Sequence, residues 1–250
     1  MNIAIVTGAS SGIGREFVRE IAKDGSLSEI WIVARRKDKL LELKKEFGSR
    51  ILPVAIDITT PEAIEKIEQL FVSHSSPVVK YLINSAGYGK LGAFKDTDVA
   101  DSAGMVELNC TALTRLTGIV LPHMEKGSII INIASAAAFM PQPKFAVYAA
   151  TKSYVLSFSR ALRAELKKQK IKVTAVCPGP VKTEFFDIAE KGGQTLAIKK
   201  LFMADATNVA RKSLKAGRRN KAVYTHKVSM KLFRLATKVL PKRLLMKFVR

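Results

Sequence analysis

Apolar residues along this chain follow two alternating patterns. Short runs that are apolar at almost every position read as strands: NIAIVT (2–7), EIWIVA (29–34), RILPVAI (50–56), VVKYLINSAG (78–87), GSIIINIAS (127–135) and KVTAVCPG (172–179). KAVYT (221–225) is a candidate seventh. Between them lie longer stretches with apolar residues at helical spacing, among them GREFVREIAKD from Gly14, KDKLLELKKEF (37–47) and PEAIEKIEQLFVSH (61–74). Thr60 ahead of Pro61 predicts an N-cap followed by proline at the first helical position. Strands apolar on both faces that alternate with helices imply a parallel sheet covered on both sides. The predicted fold class is therefore α/β, a doubly wound parallel sheet with helices on both faces. Ligands of such sheets sit beyond the carboxyl ends of the strands, near the point where strand order reverses. Candidate chemistry should lie just after strands, and it does.

With 250 residues, 48% of them hydrophobic, the chain is long enough for one large domain and too short to expect two. The N-terminus lacks the basic prelude and cleavage pattern of a signal peptide, and no apolar run is long enough to span a bilayer. A cytoplasmic protein is expected. The two cysteines, Cys110 and Cys177, fit no metal-ligand spacing; they read as small buried residues of a reducing compartment, and no metal is expected. The net charge of +21 is unevenly placed, because Ala206 to Arg250 holds 14 lysines and arginines and no acidic residue. That asymmetry marks a local surface property of the C-terminal stretch.

TGASSGIG (Thr7 to Gly14) joins the first strand to the first helix. Gly8 permits a tight turn, Gly12 lets backbone approach a pyrophosphate, and Gly14 allows close helix–strand packing. The helix N-terminus supplies free N–H groups and partial positive charge. After the second strand, where an acidic residue would hold the ribose hydroxyls of NAD, the chain places Arg35 and Arg36. Guanidinium groups pair bidentately with phosphate, which points to a site selecting NADP(H). The alternative is a pair of solvated arginines at the start of the next helix. Asp57 ends the third strand, where its carboxylate could accept from an adenine amino group with Ile58 beside the ring, or could cap a helix instead. Asn84, Ala86 and Gly87 belong to NSAG, whose small residues suit a backbone lying close to a ribose.

Further along come Asn109 in ELNC, Ser135 in IASAAA, Tyr148 to Lys152 in YAATK, and Pro178 to Thr183 in PGPVKT. With TGASSGIG and NSAG they follow in order from residue 7 to residue 183, and the chain resembles the short-chain dehydrogenase/reductase family, specifically its NADP-preferring carbonyl reductases and hydroxysteroid dehydrogenases. Ser85 departs from the pattern, standing where the family often has a second Asn. The resemblance implies a single Rossmann-type catalytic domain (1–225), with a substrate-binding segment at about 180–205 and a basic amphipathic extension (226–250). It implies a catalytic set of Asn109, Ser135, Tyr148 and Lys152, with Lys152 also gripping the nicotinamide ribose and Asn109 holding a proton-relaying water. It implies an NADP(H) site that draws further on Ser10, Ser11, Ile13, Pro178, Gly179, Val181 and Thr183. Tyr148 and Lys152, at i and i+4 of a helix, project from one face. An ammonium beside the phenol is expected to lower its pKa from about 10 toward the working range. Ser135 would hold the substrate oxygen near that phenol.

Phe139, Met140 and Phe145, lying between Ser135 and Tyr148, and Phe185 and Phe186 after the sixth strand, predict an apolar cleft for a bulky ketone or alcohol such as a steroid, or for an acyl chain. A 3-oxoacyl-thioester reductase docking an acidic carrier protein is the enzymatic alternative. A catalytically silent NADP-sensing protein is a third reading, disfavoured by the intact catalytic set. In the tail, Val228, Leu232, Leu235 and Val239 form a stripe at helical spacing, with Lys227, Lys231, Arg234 and Lys238 alongside. Such a helix either lies on an anionic membrane surface or packs over the substrate cleft. No nucleic-acid motif is present. A homodimer or homotetramer, formed through the helices carrying Asn109 and Tyr148, is implied by the resemblance.

Overall fold

A computed structural model describes residues 1–185, 203–241 and 245–246. Within them the strands β1 (Asn2–Thr7), β2 (Glu29–Ala34), β3 (Ile51–Ala55), β4 (Val78–Asn84), β5 (Ile129–Ile133), β6 (Lys172–Cys177) and β7 (Val223–Thr225) form one sheet in the order β3-β2-β1-β4-β5-β6-β7. Every neighbouring pair is parallel. Strand order reverses between β1 and β4, which places a crevice beyond their carboxyl ends. This is the expected α/β architecture.

Each strand feeds two apolar layers, as the period of two in a pleated strand requires. Along β1, Ile3 and Ile5 face the helices α3 (Pro61–Ser73), α5 (Leu113–Val120) and α6 (Ala146–Glu165), packing with Ile67, Phe71, Leu116 and Leu162. Ala4 and Val6 face the other way, toward α1 (Gly12–Ile21), α2 (Lys37–Phe47) and α7 (Ala206–Arg218), packing with Phe17, Leu40 and Leu214. The uninterrupted apolar runs in the sequence thus reflect burial on both faces. Several strands end sooner than their apolar runs do, because the last residues leave the ladder to face the crevice. The helix expected from Gly14 begins at Gly12. Thr60 occupies the N-cap position of α3, but its hydroxyl donates to the Asp57 carbonyl at 3.3 Å and makes no cap bond to the helix.

Two further helices shape the site. A short α4 (Val99–Val106) runs into a π-helical turn (Glu107–Ala112) that continues as α5. At the C-terminal side α8 (Val228–Val239) leans on the domain through Met230, which fills the space beside Gly179, and through Phe233, whose ring lies 6.2 Å from that of Phe139. Among the described residues no helix is long and apolar enough to cross a membrane.

One hydroxyl ties the two sides of the crevice together. The buried Thr7 Oγ1 accepts from the Ser85 and Ala86 N–H groups, each at 3.1 Å, and joins the end of β1 to the chain leaving β4. Replacing Thr7 with Val keeps the shape and strands both donors. We expect Thr7→Val to lower stability by about 1–3 kcal/mol, read from urea unfolding midpoints; an unchanged midpoint would show that these bonds contribute nothing net.

Candidate active site

The glycine-rich turn has the geometry a phosphate-binding loop needs. Gly8 has φ +66°, and a Cβ on Gly14 would sit 2.2 Å from the Gly8 carbonyl oxygen, so the turn closes only with glycine there. Ser11 stands at the α1 N-cap without a side-chain cap bond, and the first turn holds no acidic residue. The leading N–H groups therefore remain available to an anion. Opposite, the loop Pro178–Thr183 closes over the turn. The Thr183 methyl lies about 3.1 Å from where a Gly12 Cβ would be, and Ile13 packs against Val181. These residues fit a dinucleotide.

Both arginines after β2 are held by carboxylates. Arg36 donates to Ser10 Oγ at 3.1 Å and to Glu184 Oε2 at 2.8 Å, while Arg35 lies 3.6 Å from Asp57 Oδ2. Burial pushes the Asp57 carboxyl up, but the backbone and hydroxyl of Thr59, which donate to it at 3.0 and 2.8 Å, together with Arg35 outweigh burial and set it below the usual range. Ile58 packs into the core at its side. Asn84 turns into the sheet, where its amide donates to Thr117 and to Asn132, its register partner on β5. Sequence reading missed this buried amide ladder, which Asn132 extends to Ser159 at 2.9 Å; a lone Asn inside the otherwise aliphatic IIINI was its signal.

The catalytic candidates converge beyond β5. Tyr148 and Lys152 are buried on one face of α6, with the ammonium 5.7 Å from the phenol ring centroid. Lys152 Nζ donates to the Ile133 carbonyl at 2.9 Å. A Cβ on Gly87 would meet Asn109 Oδ1 at 2.7 Å and Lys152 Nζ at 3.2 Å, so Gly87 is what lets these side chains close around the chain leaving β4. Asn109 lies on the π-helical turn. Its amide donates to the Tyr88 carbonyl and Thr151 Oγ1, at 2.9 and 3.0 Å, and its oxygen accepts from the Tyr88 N–H at 3.1 Å. Ser135 Oγ accepts from the Ala137 N–H, and the turn it caps is anchored by the Ala136 N–H bond to Pro178 O. Around the phenol, Phe145 stacks at 4.2 Å and Phe185 tilts at 5.4 Å. Phe139 does not join them. It packs with Leu113, Val155 and Cys177, facing α8, because the turn after Ser135 carries it away from Tyr148. Met140 is buried, and Phe186 lies outside the described residues.

Against known proteins, residues 2–192 match the short chain dehydrogenase family. The chain belongs to that family. It is 34% identical to the 11-beta-hydroxysteroid dehydrogenase-like 3 protein of Arabidopsis thaliana over 188 residues, covering 73% of this chain and 60% of that protein's length. A short-chain dehydrogenase from Sphingobium yanoikuyae, solved in complex with NADPH, superposes with a TM-score of 0.79 at 28% identity, covering 100% of this chain and 97% of that one. A second short-chain dehydrogenase structure, from Streptomyces avermitilis, shares the fold at a TM-score of 0.82 and 24% identity, covering 99% and 95%.

For this short-chain dehydrogenase the expected depression of the phenol pKa is not what the structure shows. Burial pushes Tyr148 up to about 12, only partly offset by its hydrogen bond with Ser135. Burial likewise brings Lys152 down to about 8. Neutral forms are favoured for both groups because water, which would solvate either charge, is excluded. The ammonium faces the ring and the Ile133 carbonyl, so its charge does little for the phenol oxygen here. Between pH 8 and 10 the unfolded chain still protonates this lysine while the folded one does not, so stability gains with pH in that window. Lys152→Met removes the effect. We expect the variant's stability relative to wild type to be highest below pH 8 and to fall by on the order of 2 kcal/mol by pH 10. Urea unfolding at a series of pH values checks this, and a constant difference would mean the lysine is not held neutral.

Proposed function

We propose that the chain is an NADP(H)-dependent oxidoreductase that interconverts a ketone and a secondary alcohol, on a bulky apolar substrate such as a steroid. The observation that carries the reading is the joint burial of Tyr148 and Lys152 on one helical face, with Ser135 close enough to the phenol to offset part of its burial. The name of the Arabidopsis relative and the aromatic rings of Phe145 and Phe185 beside Tyr148 support the substrate class. Arg35 and Arg36, together with the NADPH bound by the Sphingobium relative, support the cofactor. Membership of the family supports oxidoreductase chemistry at a CH–OH group.

The nicotinamide, when bound, supplies or accepts the hydride. The turn from Gly8 to Gly14 and the N-terminus of α1 would hold its pyrophosphate, and Lys152 its ribose. In reduction Tyr148 Oη donates its proton to the carbonyl oxygen, and a phenol raised by burial stands fully protonated for that step at neutral pH. Ser135 fixes the oxygen by a second hydrogen bond. Stabilising the phenolate that is left falls to Lys152, whose ammonium would have to turn from the ring and the Ile133 carbonyl toward Oη to do so. Asn109 acts as a positioning residue, holding the Tyr88 backbone and the α6 side chain Thr151 in register.

A 3-oxoacyl-thioester would use the same proton donor, and the stretch from Ala206 without acidic residues favours docking of an acidic carrier protein. For assembly we propose a homodimer or homotetramer through α4, α5 and α6. There Val106 and Tyr154 are exposed, and Thr114 and Tyr154 bridge α5 to α6 at 2.8 Å.

Tyr148→Phe should abolish turnover of a ketone panel by at least about a hundredfold while leaving the NADPH Kd within about twofold; near-normal turnover would refute the assignment. Wild-type kcat/KM should favour NADPH over NADH by tenfold or more, equivalent to about 1.4 kcal/mol, with the preference lost in Arg35→Ala/Arg36→Ala. Because Glu184 occupies Arg36, Glu184→Gln should tighten NADP+ binding in calorimetry and leave NAD+ unchanged. Equal efficiency with both cofactors would end the NADP reading.

A further inference from the structure

We propose that α8 is a docking element for an anionic lipid surface. The helix has two apolar faces. Met230 and Phe233 turn inward, against Gly179 and Phe139. Val228, Leu232, Leu235 and Val239, at i, i+4, i+7 and i+11, form a single line on the opposite face. That line is left in water: the four side chains are 68%, 61%, 57% and 73% exposed, and Leu240 after the helix is 42% exposed. Scattered exposed aliphatic residues are ordinary, but four in register on one helix are not.

Charge decides the occupant. Lys231 and Lys238 are exposed, and they lie a turn and more apart on one flank of the line. No acidic residue occurs from Ala206 onward to neutralise them. A second copy docked face to face about a two-fold axis would bring these cations against their own equivalents. A nucleic acid offers no apolar partner for aliphatic side chains, and the line contains no ring for bases to stack on. An anionic bilayer meets both demands, with acyl chains for the line and headgroups for the lysines. Phe233 and Arg234 rest on Phe139, in the turn that Ser135 caps, which fixes α8 to the domain and leaves its outer line free for the lipid. The proposal does not depend on the reaction assigned to the candidate active site.

Co-sedimentation of the full chain tests it, with vesicles of phosphatidylcholine alone and with equal parts phosphatidylglycerol. Binding is expected only to the anionic vesicles and should weaken with added salt. Leu232→Asp/Leu235→Asp should reduce it by more than tenfold, and Lys231→Glu/Lys238→Glu by at least about fivefold. Both pairs are exposed, so wild-type melting temperatures should accompany the loss. The proposal is overturned if the wild type fails to sediment, or if the Leu→Asp pair still binds. It is also overturned if light scattering shows that pair falling to a smaller oligomer than wild type, which would make the line a seam between copies.

Discussion

Keeping the Lys152 ammonium out of water is the constraint around which the carboxyl edge of this sheet is arranged. A buried ammonium needs acceptors, and this one reaches across from its helix to the Ile133 carbonyl at the end of β5. To reach it, α6 must lie close against β5 and the chain leaving β4 must pass without side-chain bulk, which fixes glycine at position 87. The same passage is held by Asn109, and Asn109 reaches it because the helix there loosens into a π turn. Such a turn gives up regular hydrogen bonding, a local loss tolerated where a side chain must be aimed. The polar groups at this edge are thus consequences of one burial problem.

The two buried ionisable groups also oppose one another usefully. Burial disfavours the Lys152 cation and holds Tyr148 protonated, each by the same exclusion of water. On the proposed reaction, transfer of the phenol proton creates a negative charge next to a cation whose own burial had been unfavourable. Each charge then relieves the desolvation of the other, so the pair is better matched after proton transfer than before it.

The sheet, its parallel sense and the place of the crevice were legible from apolar runs and glycine spacing alone, because burial on both faces leaves an unmistakable aliphatic signature. Tyr148, Lys152, Ser135 and Asn109 were legible from their residue types and order. What was not legible depends on distances between residues remote in sequence. Nothing in NSAG reveals that Asn84 turns inward to Asn132, 48 residues on. Phe139 looked like its neighbour Phe145, yet a short turn sends the two rings to opposite sides of Ser135. The direction of the phenol pKa was misjudged for a related reason. Spacing on a helix shows that a cation is near, whereas the desolvation that outweighs it depends on everything packed around both groups.

Glu184 is the clearest case, since it stands 148 positions from Arg36 and no local pattern links them. Its carboxylate sits where a guanidinium would otherwise be free, and Asp57 does the same more loosely for Arg35. Both pairs are substantially exposed, so neither adds much to stability. On the proposed NADP(H) reading their effect is on selectivity. An arginine already paired is ordered and pointed, which lowers the entropy lost on binding a phosphate, but the phosphate must displace a carboxylate to bind. A dinucleotide lacking the phosphate gains nothing from that exchange. On the proposed NADP(H) reading, discrimination at this end of the crevice is a competition between anions for the same two cations.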